Sequence, residues 1–205
     1  MKAFLIRHGT TDWNLVKKIQ GRENIELNEG GRKQAGYCAK YLAKAPFDCI
    51  VSSSLSRAKE TAEIIAQNHP EAQVRVMDAF IERDFGIYSG KIFSEMEIMR
   101  LGENKSDGEI EAKADVAKRA LAGLSELAKD FPDGAVCVVT HGGVINAVLG
   151  ALSNYRLKHL FLDNVYVTGL MEENGRFFIL GYNVPPEKFE ELWKKEQEWT
   201  EETEQ

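Results

Sequence analysis

The chain has 205 residues, of which 43% are hydrophobic and 28% are charged, a composition typical of one globular domain. Its formal net charge of −6 argues against nucleic-acid binding, so an anionic ligand would need a local positive pocket. No stretch approaches the roughly 20 apolar residues of a membrane span, and no secretory segment precedes the first strand. We therefore expect a cytoplasmic protein with no membrane partner.

The first half of the chain alternates short apolar runs with segments of helical periodicity. The opening run ends abruptly at Arg7-His8-Gly9, and Asn28 is a predicted N-cap. The predicted elements are a strand over residues 3–6, a helix after Asn28, a strand over residues 47–52, a helix capped from within residues 53–56, and a strand over residues 73–77.

The second half continues this alternation and ends with an antiparallel pair. Asn174-Gly175 lies between two apolar runs and predicts a tight hairpin turn at the edge of a sheet. The predicted elements are a long helix from about Glu111, a strand over residues 135–139, a helix from about Val144, strands over residues 165–171 and 177–180, and a helix around residues 189–193.

These elements predict an α/β fold, a three-layer α/β/α sandwich with a mostly parallel central sheet. Residues 1–205 are expected to form a single domain, with a C-terminal helix and an acidic tail from about residue 185. Cys38, Cys49 and Cys137 fall in apolar segments, which is typical of reduced and buried thiols.

Three of the predicted strands are followed by cationic or titratable groups. Arg7 and His8 follow the first strand, the loop with Arg57 follows the second, and His141 follows the strand over residues 135–139. Because such strand ends meet in one crevice of an open α/β sheet, these four side chains would form a positive pocket suited to a phosphate group. A single histidine beside a strand is more often structural, and we keep that interpretation for the chain's other histidines, His69 and His159.

Other phosphate chemistries do not fit the spacing of the residues. A cysteine phosphatase needs an arginine six positions after the cysteine, but Leu55 stands six after Cys49. Gly86 and Gly90 are separated by three residues, where a P-loop needs four. There is no Gly-x-Ser-x-Gly elbow and no His-x-x-x-His or paired Cys-x-x-Cys motif for a transition metal.

The segments RHGTTDWN, LNEGGRKQA, SSSLSRAKETA, IERDFGIYSG and VVTHGG occur in this order between residues 3 and 146. They resemble the motifs of the histidine phosphatase superfamily, the phosphoglycerate-mutase-like family. The resemblance implies that His8 is the phosphorylated nucleophile and Glu82 the proton donor. It also implies that Arg7, Arg57 and His141 clamp the phosphate, with Asn14 beside it.

The implied roles agree with the chemistry of these residue types. Nearby guanidinium groups lower the pKa of a histidine by charge repulsion and keep the lone pair of His8 available. The other ring nitrogen of His8 needs a fixed acceptor such as a backbone carbonyl. Because Arg7 and Arg57 stabilise the negative charge of the transition state, neither a metal nor a cofactor is expected.

Hydrolysis is favoured over mutase activity, because Gly142-Gly143 follows the strand where mutases usually have Gly-Asn. The region after Gly90 is also short, and its cations are offset by acids, so we expect a lid that admits water. The cations are Lys91, Arg100 and Lys105, and the acids are Glu95, Glu97, Glu103, Asp107 and Glu109.

The predicted function is that of a metal-independent phosphomonoesterase acting on a small phosphorylated metabolite. Two alternatives stay open, a bisphosphoglycerate-dependent phosphoglycerate mutase and a non-catalytic phosphate-binding module. The sequence also leaves the choice between a monomer and a homodimer open. Besides the clamp, the predicted substrate-binding residues are Gly142, Arg83 and Tyr88, with Trp13 and Ile19 as further wall residues.

Overall fold

Strands and helices alternate along the chain as the apolar periodicity predicts. The structure, a computed structural model, describes residues 1–92, 94, 97 and 110–196. The strands are β1 (Lys2–Arg7), β2 (Cys49–Ser52), β3 (Gln73–Val76), β4 (Ala135–Thr140), β5 (Val167–Glu173) and β6 (Arg176–Val184). The helices are α1 (Asp12–Leu15), α2 (Glu29–Leu42), α3 (Ser56–Ala66), α4 (Lys113–Asp130), α5 (Gly142–Leu152) and α6 (Phe189–Trp193). Short 3-10 helices span Asp78–Phe80, Gly86–Tyr88 and Pro186–Lys188.

The six strands form one sheet in the order β3-β2-β4-β1-β5-β6. The strands β3, β2, β4 and β1 run parallel to one another, whereas β5 is antiparallel to β1 and to β6. The mostly parallel sheet with an antiparallel pair at one edge is thus confirmed. In this order β4 lies between β1 and β2, so the carboxyl ends of these strands are adjacent.

Helices cover both faces of the sheet, and this confirms the three-layer sandwich. Alternate residues of a strand point to opposite faces, so Leu5 and Val138 join one core and Phe4 and Ile50 the other. The first core is completed by α4 and α5, and the second by α2, α3 and α6. Within α6, the ring of Trp193 stacks on Phe4 with the ring centroids 5.1 Å apart.

Three local expectations are confirmed in detail. The Asn28 side chain caps α2 by accepting a hydrogen bond from the Gly31 amide. Asn174 and Gly175 both have positive φ, at 52° and 79°, which is the conformation of a type I′ hairpin turn. Cys38, Cys49 and Cys137 are buried free cysteines, as their apolar segments predicted.

Two other expectations need correction. Leu55, within the predicted range 53–56, is the N-cap of α3, but no side chain makes the expected capping bond. The Ser53 hydroxyl is engaged elsewhere, with His141. The helix α1 lies between the first predicted strand and the helix after Asn28, where no element was predicted, and Thr11 and Asn14 form a capping box there.

The predicted lid and acidic tail fall mostly beyond the residues that the structure describes. The lid prediction rested on residues 91–109, of which only residues 91, 92, 94 and 97 are described. The C-terminal helix is present as α6, and the tail beyond residue 196 lies outside the described part. Within the described ranges, no helix has the length and apolar character needed to cross a membrane.

Candidate active site

Three adjacent strand ends bring the four residues of the predicted positive pocket together. Arg7 ends β1, His141 follows β4, and Arg57 lies in the first turn of α3 after β2. The rings of His8 and His141 have centroids 5.1 Å apart, and Arg57 Nε lies 3.2 Å from His8 Nε2. The sheet topology therefore assembles the positive pocket that the strand ends predicted.

The backbone around His8 is held on both sides. The His8 amide donates to Thr140 O at 3.0 Å, and the His8 carbonyl accepts from Asn164 Nδ2 at 2.7 Å. Gly9 must be glycine, because an added Cβ would lie 2.5 Å from the carbonyl oxygen of Gly31. The nucleophile candidate is thus positioned by rigid backbone.

The ring of His8 has one proton, fixed on Nδ1, and one lone pair, on Nε2. Nδ1 lies 2.7 Å from Gly9 O, which can only accept, so Nδ1 carries the hydrogen. Nε2 accepts from Arg57 Nε at 3.2 Å. Burial, followed by repulsion from Arg57 and Arg7, holds the pKa of His8 well below its usual 6.5, so the ring is neutral at pH 7.

Arg57 is fully buried and anchored by backbone carbonyls. Its Nη1 donates to Glu23 O at 2.7 Å and its Nη2 to Gly21 O at 2.8 Å. Burial lowers the pKa of Arg57 to about 10, which leaves the guanidinium charged at neutral pH. Arg7, at the other side of the pocket, donates through Nη1 to Leu162 O.

His141 is completely buried, and its Nε2 lies 2.7 Å from Ser53 Oγ. Its Nδ1 has no hydrogen-bond partner among the described residues. Burial is the main cause that holds the pKa of His141 well below 6.5, and the charges of Arg57 and Arg7 add to it. The contact with Ser53 was missed because serines after a strand are ordinarily interpreted as helix caps.

The carboxyl group of Glu82 is held at the start of α5. Its Oε1 accepts from the Arg83 amide at 2.8 Å, and its Oε2 accepts from the Gly143 amide at 3.3 Å. A Cβ at position 143 would lie 2.3 Å from Oε1. A glycine at this position therefore leaves the space that the carboxyl group occupies.

Arg119 fixes the backbone that carries Glu82. Its Nη1 donates to Ala79 O at 2.9 Å and its Nη2 to Glu82 O at 3.2 Å. Glu111 pairs with the same guanidinium at 2.8 Å and 3.1 Å. Arg119 was not among the predicted site residues. Its position three residues after Val116, beside the apolar face of α4, was an available signal.

A cavity of about 410 Å³ opens over this group. Besides Arg7, His8, Arg57 and Glu82, the predicted residues that line it are Asn14, Ile19, Arg83 and Gly142. Four lysines also line it, at positions 17, 18, 113 and 158.

The predicted clamp residue His141 does not line this cavity, because it is completely buried behind the ring of His8. Two predicted wall residues do not line it either. Tyr88 packs against the cluster of Ile19 and Phe85, and the ring of Trp13 lies 4.0 Å from Lys18 Nζ.

Within the described parts of the chain, there is no group of three or more histidine, cysteine, aspartate or glutamate side chains that could hold a metal ion.

The chain is similar to known proteins in sequence and in fold. The model of the histidine phosphatase superfamily (branch 1) matches residues 3–185. The uncharacterized phosphatase PhoE of Bacillus subtilis is 34% identical over 182 residues, which cover 88% of this chain and 93% of PhoE. Phosphoserine phosphatase 1 of Hydrogenobacter thermophilus is 31% identical, covering 90% of this chain and 92% of its own. The structure of a mycobacterial glucosyl-3-phosphoglycerate phosphatase, solved with VO3, has a TM-score of 0.78 at 29% identity, covering 89% of this chain and 98% of that one.

Proposed function

Since this chain belongs to the histidine phosphatase superfamily and is a phosphatase, we propose that it hydrolyses a small phosphorylated metabolite without a metal ion, through a phosphohistidine at His8. One observation supports this most strongly. His8 Nδ1 is held by Gly9 O, and the Nε2 lone pair lies beside Arg57. A buried, neutral imidazole with one committed nitrogen is a competent nucleophile.

In the first step, the Nε2 lone pair of His8 attacks phosphorus and forms a P–N bond. The ester P–O bond breaks, and its electron pair stays on the leaving oxygen. The carboxyl group of Glu82 gives that oxygen its proton, so the product leaves as an alcohol. Arg7 and Arg57 stabilise the negative charge on the phosphoryl oxygens, and this replaces the usual role of a metal ion.

In the second step, the Glu82 carboxylate takes a proton from a water molecule whose oxygen attacks phosphorus. The P–N bond breaks, its electron pair returns to His8 Nε2, and inorganic phosphate is released. The same carboxyl group therefore serves both half-reactions, first as an acid and then as a base. The amides of Arg83 and Gly143 hold it in one place for both steps.

The size and lining of the cavity support a small and anionic substrate. A volume of about 410 Å³ lies within the range of small-molecule sites. Lysines 17, 18, 113 and 158 add positive charge around the phosphate clamp, in a chain with a net charge of −6. Phosphoserine and glucosyl-3-phosphoglycerate are the first compounds to assay, because relatives of this chain are named as phosphatases of these two compounds.

The test is a panel of phosphorylated metabolites, assayed for free phosphate with and without EDTA. We expect release of inorganic phosphate from at least one member and no loss of rate in EDTA. A parallel coupled assay supplies 3-phosphoglycerate with 2,3-bisphosphoglycerate. Mutase turnover well above phosphate release would instead support the mutase, and no turnover on any member would support a phosphate-binding module.

A further inference from the structure

We propose that Ser53 is a positioning residue that fixes the tautomer of His141. In this arrangement the histidine offers an N–H group at Nδ1 to a phosphoryl oxygen while its ring stays neutral. Of this proposal, only the contact with a phosphoryl oxygen rests on the proposed function. The tautomer itself follows from the contacts of Ser53.

The Ser53 hydroxyl has only one place to donate its hydrogen. Its oxygen accepts from the Leu55 amide at 3.4 Å, and it lies 2.7 Å from His141 Nε2. In the part of the chain that the structure describes, Nε2 is the one acceptor bonded to this hydroxyl. Ser53 is completely buried, and a buried hydroxyl hydrogen without an acceptor is costly. Ser53 therefore donates, and His141 Nε2 accepts.

An accepting Nε2 determines where the proton of a neutral His141 lies. Because a neutral imidazole carries one N–H, an accepting Nε2 places that proton on Nδ1. Nδ1 is buried and has no partner among the residues described. His141 lies beside the ring of His8, with the ring centroids 5.1 Å apart. A phosphoryl group bound at His8 would provide the missing acceptor.

His8 and His141 thus hold the same tautomer for opposite purposes. In His8, Gly9 O fixes the proton on Nδ1, so the lone pair that would attack phosphorus lies on Nε2, where Arg57 Nε donates to it. In His141, the Ser53 hydroxyl occupies Nε2 and leaves the Nδ1 hydrogen for the phosphate. A neutral donor adds a hydrogen bond without adding a third charge beside Arg7 and Arg57.

The direct test is nitrogen NMR of the full chain labelled with ¹⁵N-histidine at pH 7.5. Two-bond proton–nitrogen correlations distinguish the two neutral tautomers, and His141→Asn assigns the signals by their loss. We expect a protonated Nδ1 and an unprotonated Nε2 for His141 in the unsubstituted protein. A proton on Nε2, or a charged ring, would overturn the proposal, and neither reading depends on enzymatic activity.

The second test removes the hydroxyl with Ser53→Ala and titrates inorganic phosphate against the amide signals. We expect the proton of His141 to move to Nε2 and phosphate to bind about tenfold more weakly, as for the loss of one buried hydrogen bond. Ser125→Ala is the matched control, because its hydroxyl donates only to Leu121 O within α4. Ser53→Ala with an unchanged tautomer would contradict the positioning role. A changed tautomer with unchanged phosphate affinity would contradict the phosphate contact alone.

Discussion

Replacing Gly143 with alanine tests whether Glu82 acts from the position that the fold gives it. The added Cβ would lie 2.3 Å from Glu82 Oε1 and 3.1 Å from its carboxyl carbon. Ordinary van der Waals contact begins at 3.4 Å, so the carboxyl oxygen must retreat by about 1.1 Å. This movement also breaks the hydrogen bond of 3.3 Å from the Gly143 amide to Oε2.

The expected loss of activity follows from that displacement. A misplacement of about 1 Å at a reacting group costs on the order of 10²-fold in rate. The loss should be near this size for alkyl phosphates, whose leaving oxygen needs a proton. It should be less than about fivefold for p-nitrophenyl phosphate, whose leaving group is stable as an anion.

The assay compares kcat/KM for the two substrates and the free energy of unfolding in urea. Gly36→Ala is the matched control, because this position lies within α2 and has no atom within 4 Å of an added Cβ. The control should gain stability and keep full activity on both substrates. Full activity of Gly143→Ala on alkyl phosphates would refute the placement of Glu82 as the acid.

Three further predictions concern the proposed acid Glu82, the contact of Arg119 with its backbone, and the buried His8. Glu82→Gln should be slow on alkyl phosphates and recover partly on p-nitrophenyl phosphate, and equal loss on both would argue against an acid. Arg119→Gln should show the same leaving-group dependence more weakly. Arg75→Gln is the control, because it breaks the partly exposed ion pair with Asp130, and it should show no such dependence. Equal behaviour of the two arginine variants would contradict the support of Glu82 by Arg119. The pKa of His8 is depressed in the folded protein, so below about pH 6.5 the unfolded chain binds a proton that the folded chain does not. The free energy of unfolding should therefore be highest above about pH 6.5 and should decrease as the pH falls. His8→Asn should flatten that fall in unfolding free energy by up to about 1.4 kcal/mol per pH unit, and an unchanged slope would refute the buried neutral state.

The fold could be predicted from the sequence because its signals are local. Apolar runs, the Asn28 cap and the Asn174-Gly175 turn each report on their own few residues, and each is found as expected. The strand ends also converge as predicted, since parallel strands place their carboxyl ends at one edge of the sheet.

The contacts that position the site could not be predicted, because they join residues distant in the chain. Ser53 meets His141 across 88 positions, and Arg119 meets the carbonyl of Glu82 across 37. Ser53 lies in the range predicted to cap α3, but its hydroxyl is bonded to a ring that no local pattern places nearby. Tyr88 and Trp13 illustrate the same limit, because aromatic residues that pack and those that line a cavity have the same local pattern.

The most direct test of the proposed mechanism is to trap the phosphoenzyme. The protein is mixed with a ³²P-labelled monoester identified by the panel, quenched within milliseconds in alkali, and digested for peptide mapping. A phosphoramidate survives alkali and is lost in acid, so we expect alkali-stable label on the peptide that contains His8. His8→Ala should lose both the label and turnover, and its folded state is checked by urea unfolding. Label on a serine, or full turnover by His8→Ala, would contradict the mechanism.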